Sequence, residues 1–164
     1  MKNSIDSLDG AKQYAFRLLG YRQRSRKEIA ERLRKKGVSA DLTAGVIKTL
    51  ERTGYLDDER FARDFIESKL STNPAGRRYF KAELLRKDVA GETIEKVLDE
   101  ALPPEKEYEA ACNTAFKTFS RYARLDERAR LKKVYGHLAR RGFPGGTIAD
   151  ILNRLGAEYR EDEH

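Results

Sequence analysis

The residues able to do acid–base, nucleophilic or metal chemistry are few, and their spacing does not suit it. His137 and His164 are the only histidines. His137 sits among basic residues, and neither histidine has a cysteine or a spaced set of acids beside it, so a metal site is not expected. Cys112 is the sole cysteine, which leaves no intramolecular disulfide and no cysteine cluster. Its neighbours Ala111, Ala115 and Phe116 point to a small buried residue rather than a reactive thiol. Asp57 and Asp58 form a carboxylate pair, but they stand before an apolar helical pattern, where capping explains them better than proton transfer. The turn Gly142-Phe143-Pro144-Gly145-Gly146 has no strand before it, and no GxxxxGK[ST] occurs, so no phosphate loop is present. The sequence therefore predicts a protein that is not an enzyme, with no catalytic residue, cofactor or metal.

Charge is the more informative feature. Lys and Arg number 34 against 27 acids in 164 residues, a net charge of +7. Such a balance favours anionic partners: nucleic acid, an acidic protein surface or a membrane. Charged residues make up 37% and hydrophobic residues 39%, which suits a helical array with much surface per residue. No run of about 18 apolar residues exists to cross a membrane. The N-terminus lacks the apolar stretch of a signal peptide. A cytoplasmic location without membrane attachment is expected.

The elements that carry this charge repeat three times. Arg26 to Leu50 superimposes on Arg77 to Ala101, and again on Leu131 to Leu155, without a gap. The apolar positions coincide: Ile29 with Phe80 and Val134; Leu33 with Leu84 and Leu138; Val38 with Val89 and Phe143. Val46, Val97 and Ile151 follow, then Ile47, Leu98 and Leu152, then Leu50, Ala101 and Leu155. Ile29 and Leu33 stand four apart, and Val46, Ile47 and Leu50 make a further helical stripe. Gly37 and Gly142 fall where a helix C-terminus wants a left-handed residue. Asp88 takes that place in the second copy, a residue that tolerates the conformation less well than glycine. Ser39 and Pro144 open the following loop, with Asp41, Glu92 and Thr147 near the next helix start. A third helix precedes each pair. The first runs about Ala11 to Gly20, the second begins at Asp57-Asp58, and the third follows Pro103-Pro104 and carries Ala115, Phe116 and Phe119.

The predicted fold is all-α, with three tandem three-helix units forming an elongated, curved array. The expected boundaries are 11–53, 54–102 and 103–156, between a flexible N-terminus at 1–10 and a charged, mobile tail at 157–164. The middle helix of each unit is basic. In the first, six bases stand against Glu28 and Glu31; in the second, five against Glu83; in the third, six against Asp126 and Glu127. Each surplus is four. The last helices are neutral or acidic, so the positive charge repeats in phase with the fold. A helix–turn–helix DNA reader or transcription regulator is the alternative, since two helices joined by a Gly-containing turn match its outline. That motif reads bases with its second helix, whereas the basic helix here is the first.

The stretch Ala15 to Phe65 resembles the signature of the RecX family. The matching elements are Leu18-Leu19, the basic tract ending Arg24-Ser25, Lys36-Gly37, and Gly54-Tyr55-Leu56-Asp57-Asp58 leading to Phe61-Ala62. Leu138 to Phe143 with Ile151-Leu152 is similar to the family's C-terminal unit. The middle repeat departs at Lys87-Asp88, where lysine–glycine is the pattern. The resemblance covers about residues 11–156. It implies a monomeric protein that binds the groove of RecA filaments on single-stranded DNA, with duplex DNA as a further nonspecific ligand. It also implies restraint of RecA's ATPase, recombinase and coprotease activities in DNA repair and the SOS response. On that reading, the contact falls to Arg22, Arg24, Arg26 and Lys27 in the first unit. Arg77, Arg78 and Arg86 would serve in the second, and Arg140 and Arg141 in the third.

Overall fold

In the computed structural model, residues 5–162 are described, and they form nine helices and no strand. The first three-helix unit consists of α1 (Leu8–Tyr21), α2 (Arg26–Lys35) and α3 (Ala40–Arg52). The second consists of α4 (Asp58–Thr72), α5 (Arg77–Arg86) and α6 (Gly91–Ala101). The third consists of α7 (Pro104–Arg121), α8 (Glu127–Arg140) and α9 (Gly145–Asp162). The architecture is the expected tandem of three-helix units.

Local chemistry sets most of the helix ends. Ser7, Ser25 and Ser39 each accept a backbone N–H three residues on, from Gly10 at 3.1 Å, Glu28 at 3.2 Å and Leu42 at 3.4 Å. These bonds satisfy donors that a first helical turn otherwise leaves open. Asp57 does the same for α4, accepting from Glu59 and Arg60, and Asp126 does so for α8. Ser39 is thus the cap of α3 rather than a loop residue. Pro103 and Pro104 start α7 without needing a side-chain cap, since proline lacks the N–H that would be left over.

The turn after each middle helix is one motif made three times. Val38 N–H reaches Leu33 O at 3.1 Å, Val89 reaches Leu84 O at 3.1 Å, and Phe143 reaches Leu138 O at 3.2 Å. Inside each turn the residue at φ +86°, +63° or +75° is Gly37, Asp88 or Gly142. This is the Schellman arrangement, with its apolar residue just beyond the left-handed position. Asp88 therefore adopts the conformation that the repeat demands, without glycine's freedom.

Two compact units emerge. The first comprises residues up to Phe65 together with Glu83–Val97; the second comprises Ile66–Ala82 together with the chain from Leu98 onward. In the first, Ala11, Ala15, Ile29, Leu33, Val46 and Leu50 form a core with no exposed surface, with Ile5 and Leu18 packed against it. In the second, Ala111, Ala115, Val134, Leu138, Phe143 and Ile151 form the equivalent core. The middle repeat is divided because α5 is tied down at both ends. Its first residue, Arg77, donates its backbone N–H to Glu107 Oε1 at 2.7 Å and its side chain to Asp99 at 2.7 Å. At its other end, Arg86 O accepts from Lys27 Nζ at 3.0 Å, and Lys87 Nζ meets Glu28 Oε1 at 2.8 Å. Repeat boundaries and packing boundaries are different things here.

Several expectations change. Leu8–Gly10 belong to α1 rather than to a flexible lead, because Ser7 caps the helix and Gly10 is buried. Helix α9 continues to Asp162, past the expected end at 156. The parts of both terminal segments at residues 1–4 and 163–164, His164 included, lie outside the described residues. Cys112 is half-buried rather than buried. Phe116 is 63% exposed: α7 turns Ala111, Ala115 and Phe119 inward, and Phe116 falls off that face. No described helix is long and apolar enough to cross a membrane.

Candidate basic docking surfaces

The expected contact residues divide into those held by the protein's own groups and those left to solvent. In the first compact unit, Arg24 donates Nε to Leu18 O at 3.2 Å. Burial, and then the charge of Arg22, lower its basicity. Arg22 donates to Gln23 O and Glu28 Oε2. Arg26 gives its backbone N–H to Asp58 Oδ1 at 3.1 Å and its guanidinium to Glu51 at 3.3 Å. Burial raises the affinity of the Asp58 carboxyl for its proton, against the opposing pull of Arg26. Lys27 is bonded to the end of α5, as described. Burial alone would push Glu28 upward, yet the bonds from Lys87 and Arg22 outweigh it and hold its carboxyl below the ordinary value. Glu28 therefore neutralises part of this cluster.

Helices α2 and α3 enclose a groove of about 670 Å³. Arg26, Lys27, Arg34 and Lys48 rim it, with Ala30, Thr43 and Ile47 among its lining, and Glu51 and Asp88 offset some of the charge. Arg34 and Lys48 do not stand out in the sequence. Arg34 follows Lys27 by seven residues and Lys48 follows Ala40 by eight, spacings that place each on the same face as a groove-lining helix-mate.

In the second compact unit, Arg141 is a structural latch. Its Nε donates to Pro74 O at 2.9 Å, a terminal nitrogen also bonds Asn73 O, and the guanidinium lies 4.6 Å from the Tyr79 ring centroid. Its own carbonyl accepts Gly76 N–H at 2.9 Å. Arg77 is likewise bonded to Glu107, Asp99 and Leu102 O. Arg78 and Arg140 are exposed.

Laying the three copies together sorts these bases by column. The column Lys36, Lys87 and Arg141 turns partly inward at its second and third members. The preceding column, Lys35, Arg86 and Arg140, is exposed in all three copies, although Arg86 also pairs with Glu83 on its own helix. In the second and third copies a single step along the helix thus separates a structural base from a solvent-facing one. Lys35 extends the expected contact residues by the same repeat logic.

Helices α7 and α8 flank a second hollow, of about 510 Å³. Arg140 meets Arg121, Lys132 and Lys133 there, beside Tyr122, Tyr135 and His137. Burial, followed by the charges of Arg140, Arg141 and Arg121, lowers the His137 imidazole below its ordinary value. The sequence signal for this hollow is basic–aromatic interleaving, Arg121-Tyr122 and Lys132-Lys133-Val134-Tyr135. Among the described residues no group of three or more His, Cys, Asp or Glu is arranged to hold a metal.

Comparison with known proteins meets this geometry repeat by repeat. Family models for the first, second and third three-helix domains of RecX match residues 11–50, 57–98 and 105–152. A regulatory protein RecX of Pelodictyon phaeoclathratiforme is 36% identical over 157 residues, covering 94% of each chain. One from Oceanobacillus iheyensis is 27% identical over 92% of this chain, which spans only 55% of that longer relative. A crystal structure of a regulatory protein RecX superimposes with a TM-score of 0.81 over 89% of this chain and 73% of its own, at 24% identity. With three domain matches in order and a relative aligned end to end, this chain belongs to the RecX family of regulatory proteins.

Proposed function

We propose that this protein binds in the groove of a RecA filament assembled on single-stranded DNA and restrains its ATPase, recombinase and coprotease activities. It would act in the cytoplasm, as a monomer and without catalysis of its own. The observation that carries the reading is the exposed column Lys35, Arg86 and Arg140, one base at the end of each middle helix. A regulator that meets an anionic polymer gains from carrying several exposed bases, since each phosphate neutralised adds to the affinity. Arg22 and Arg26 are exposed near the start of the first of these helices, and Arg78 near the start of the second.

The test is RecA-dependent ATP hydrolysis on single-stranded DNA, titrated with this protein at low and moderate salt. Inhibition at less than one protein per RecA, weakened by salt, is the expected result. Unchanged hydrolysis together with sequence-specific duplex binding would instead favour the helix–turn–helix regulator.

A further inference from the structure

The hollow between α7 and α8 differs from every other charged patch described above. The face of α8 that lines it carries Ala129, Lys132, Lys133, Gly136, His137 and Arg140, spaced i, i+3, i+4, i+7, i+8 and i+11. That spacing is one continuous helical stripe. Small residues stand in it among the bases, so the surface sinks between them. Gly136 matters to this shape: a Cβ there would come within 3.3 Å of an Arg140 guanidinium nitrogen. The bare glycine lets that guanidinium lie close over the helix backbone.

The charge here is not cancelled. Among the described residues, none of those lining the hollow carries a carboxylate. In the first compact unit, by contrast, Glu28 pairs with both Arg22 and Lys87, and Glu51 pairs with Arg26. Four uncompensated bases held around one hollow repel each other, and an anion relieves that repulsion. The lowered basicity of His137 has the same field among its causes.

Aromatic rings accompany the bases. Tyr135 is 56% exposed although it lies on a packed helix. Tyr122 is half-exposed at the end of α7, with Lys133 Nζ 5.6 Å from its ring centroid. A bare phosphate or an acidic peptide would use the bases and gain little from the rings. A single strand uses both, with phosphates against the cations and an unstacked base against an open tyrosine face. A duplex keeps its bases stacked and offers the rings nothing to cover.

We propose that the α7–α8 hollow of the third domain is a binding site for single-stranded DNA, with Arg121, Lys132, Lys133 and Arg140 on phosphates and Tyr135 stacked on a base. This deepens the filament reading by giving DNA a site of its own on the regulator. It rests on that reading only for its setting, because the contact needs no RecA.

Fluorescence anisotropy of a labelled oligo-dT of about 20 nucleotides, with the full chain and no RecA, tests it. Tyr135→Ala is expected to weaken binding roughly five- to a hundredfold, the range for losing one stacked base. Lys133→Gln with Arg140→Gln is expected to lower the salt slope of the affinity by about 1.4, at about 0.7 per phosphate contact on a single strand. Lys117→Gln, the loss of one charge on α7 outside the hollow, is expected to change neither. The matched duplex is expected to bind more weakly than the oligomer, and poly-glutamate to compete poorly. The proposal is overturned if Tyr135→Ala binds oligo-dT like the parent. It is also overturned if the paired variant does no more than Lys117→Gln, or if duplex or poly-glutamate binds as well as the strand. Circular dichroism melting confirms that the variants are folded; all of the replaced side chains are exposed, so little change is expected. Tight oligo-dT binding by a protein that leaves RecA hydrolysis untouched would sink the filament reading alone.

Discussion

Gly142→Ala is expected to destabilise the protein by roughly 2–5 kcal/mol, combining left-handed backbone strain with overpacking. Gly142 holds φ +75°, and a Cβ built there would stand 2.5 Å from Tyr79 N and 3.0 Å from Tyr79 Cβ. Its carbonyl in turn sits 2.4 Å from where a Cβ on Gly76 would be. The two backbones touch because neither residue has a side chain, and Arg141 fastens the contact through Pro74 O and Asn73 O. Gly37 is the internal control. It occupies the same place in the first repeat at φ +86°, with nothing within 4 Å of an added methyl. Gly37→Ala therefore meets only the strain, about 1–2 kcal/mol. Urea denaturation of both variants measures the difference. Equal losses would mean that the close packing of Tyr79 on Gly142 contributes nothing.

Leu33→Ala and Leu84→Ala are each expected to lose roughly 2–5 kcal/mol, the usual range for a buried leucine truncated in a core. Both side chains are fully buried. Leu85, next in the chain, is 49% exposed, so Leu85→Ala is expected to stay within about 1 kcal/mol, as exposed positions generally do. The same urea midpoints decide it. A Leu84 variant no worse than the Leu85 variant would contradict the helical register that defines the repeat.

That register is legible in the sequence because it depends on local periodicity. The columns headed by Ile29, Leu33, Val38 and Val46 are buried in all three copies. Of the six columns only Leu152 is half-buried, at the edge of the second core. The left-handed turn is legible too, even at Asp88, because a Schellman end imposes one φ on whatever residue occupies it. The helix starts are harder. Ser7 caps α1 ahead of any strong apolar signal, so Leu8–Gly10 read as a lead-in.

The use of each arginine is not legible, for a physical reason. A basic side chain on a helix looks the same in sequence whether it meets a carbonyl 67 residues away or open water. Arg141 does the former and Arg140, its neighbour, is exposed. The Arg77 side chain similarly pins α5 to the end of α6 and the residue after it, through Asp99 and Leu102 O, 22 and 25 residues distant. Only tertiary structure separates the inward bases from the outward ones. The sequence carries only the interleaving Arg121-Tyr122 and Lys132-Lys133-Val134-Tyr135 as a sign of the α7–α8 hollow, because its parts come from two helices and Lys132 and Lys133 count in the sequence merely as surplus charge.

Filament binding by this protein is measured by co-sedimentation with RecA filaments formed on single-stranded DNA and held by a slowly hydrolysed ATP analogue. Saturable pelleting of this protein is expected, well above that with the same DNA alone, falling as salt rises and when Lys35, Arg86 and Arg140 are replaced together by glutamine. Recovery of the protein in the supernatant, or equal pelleting with and without RecA, would contradict it.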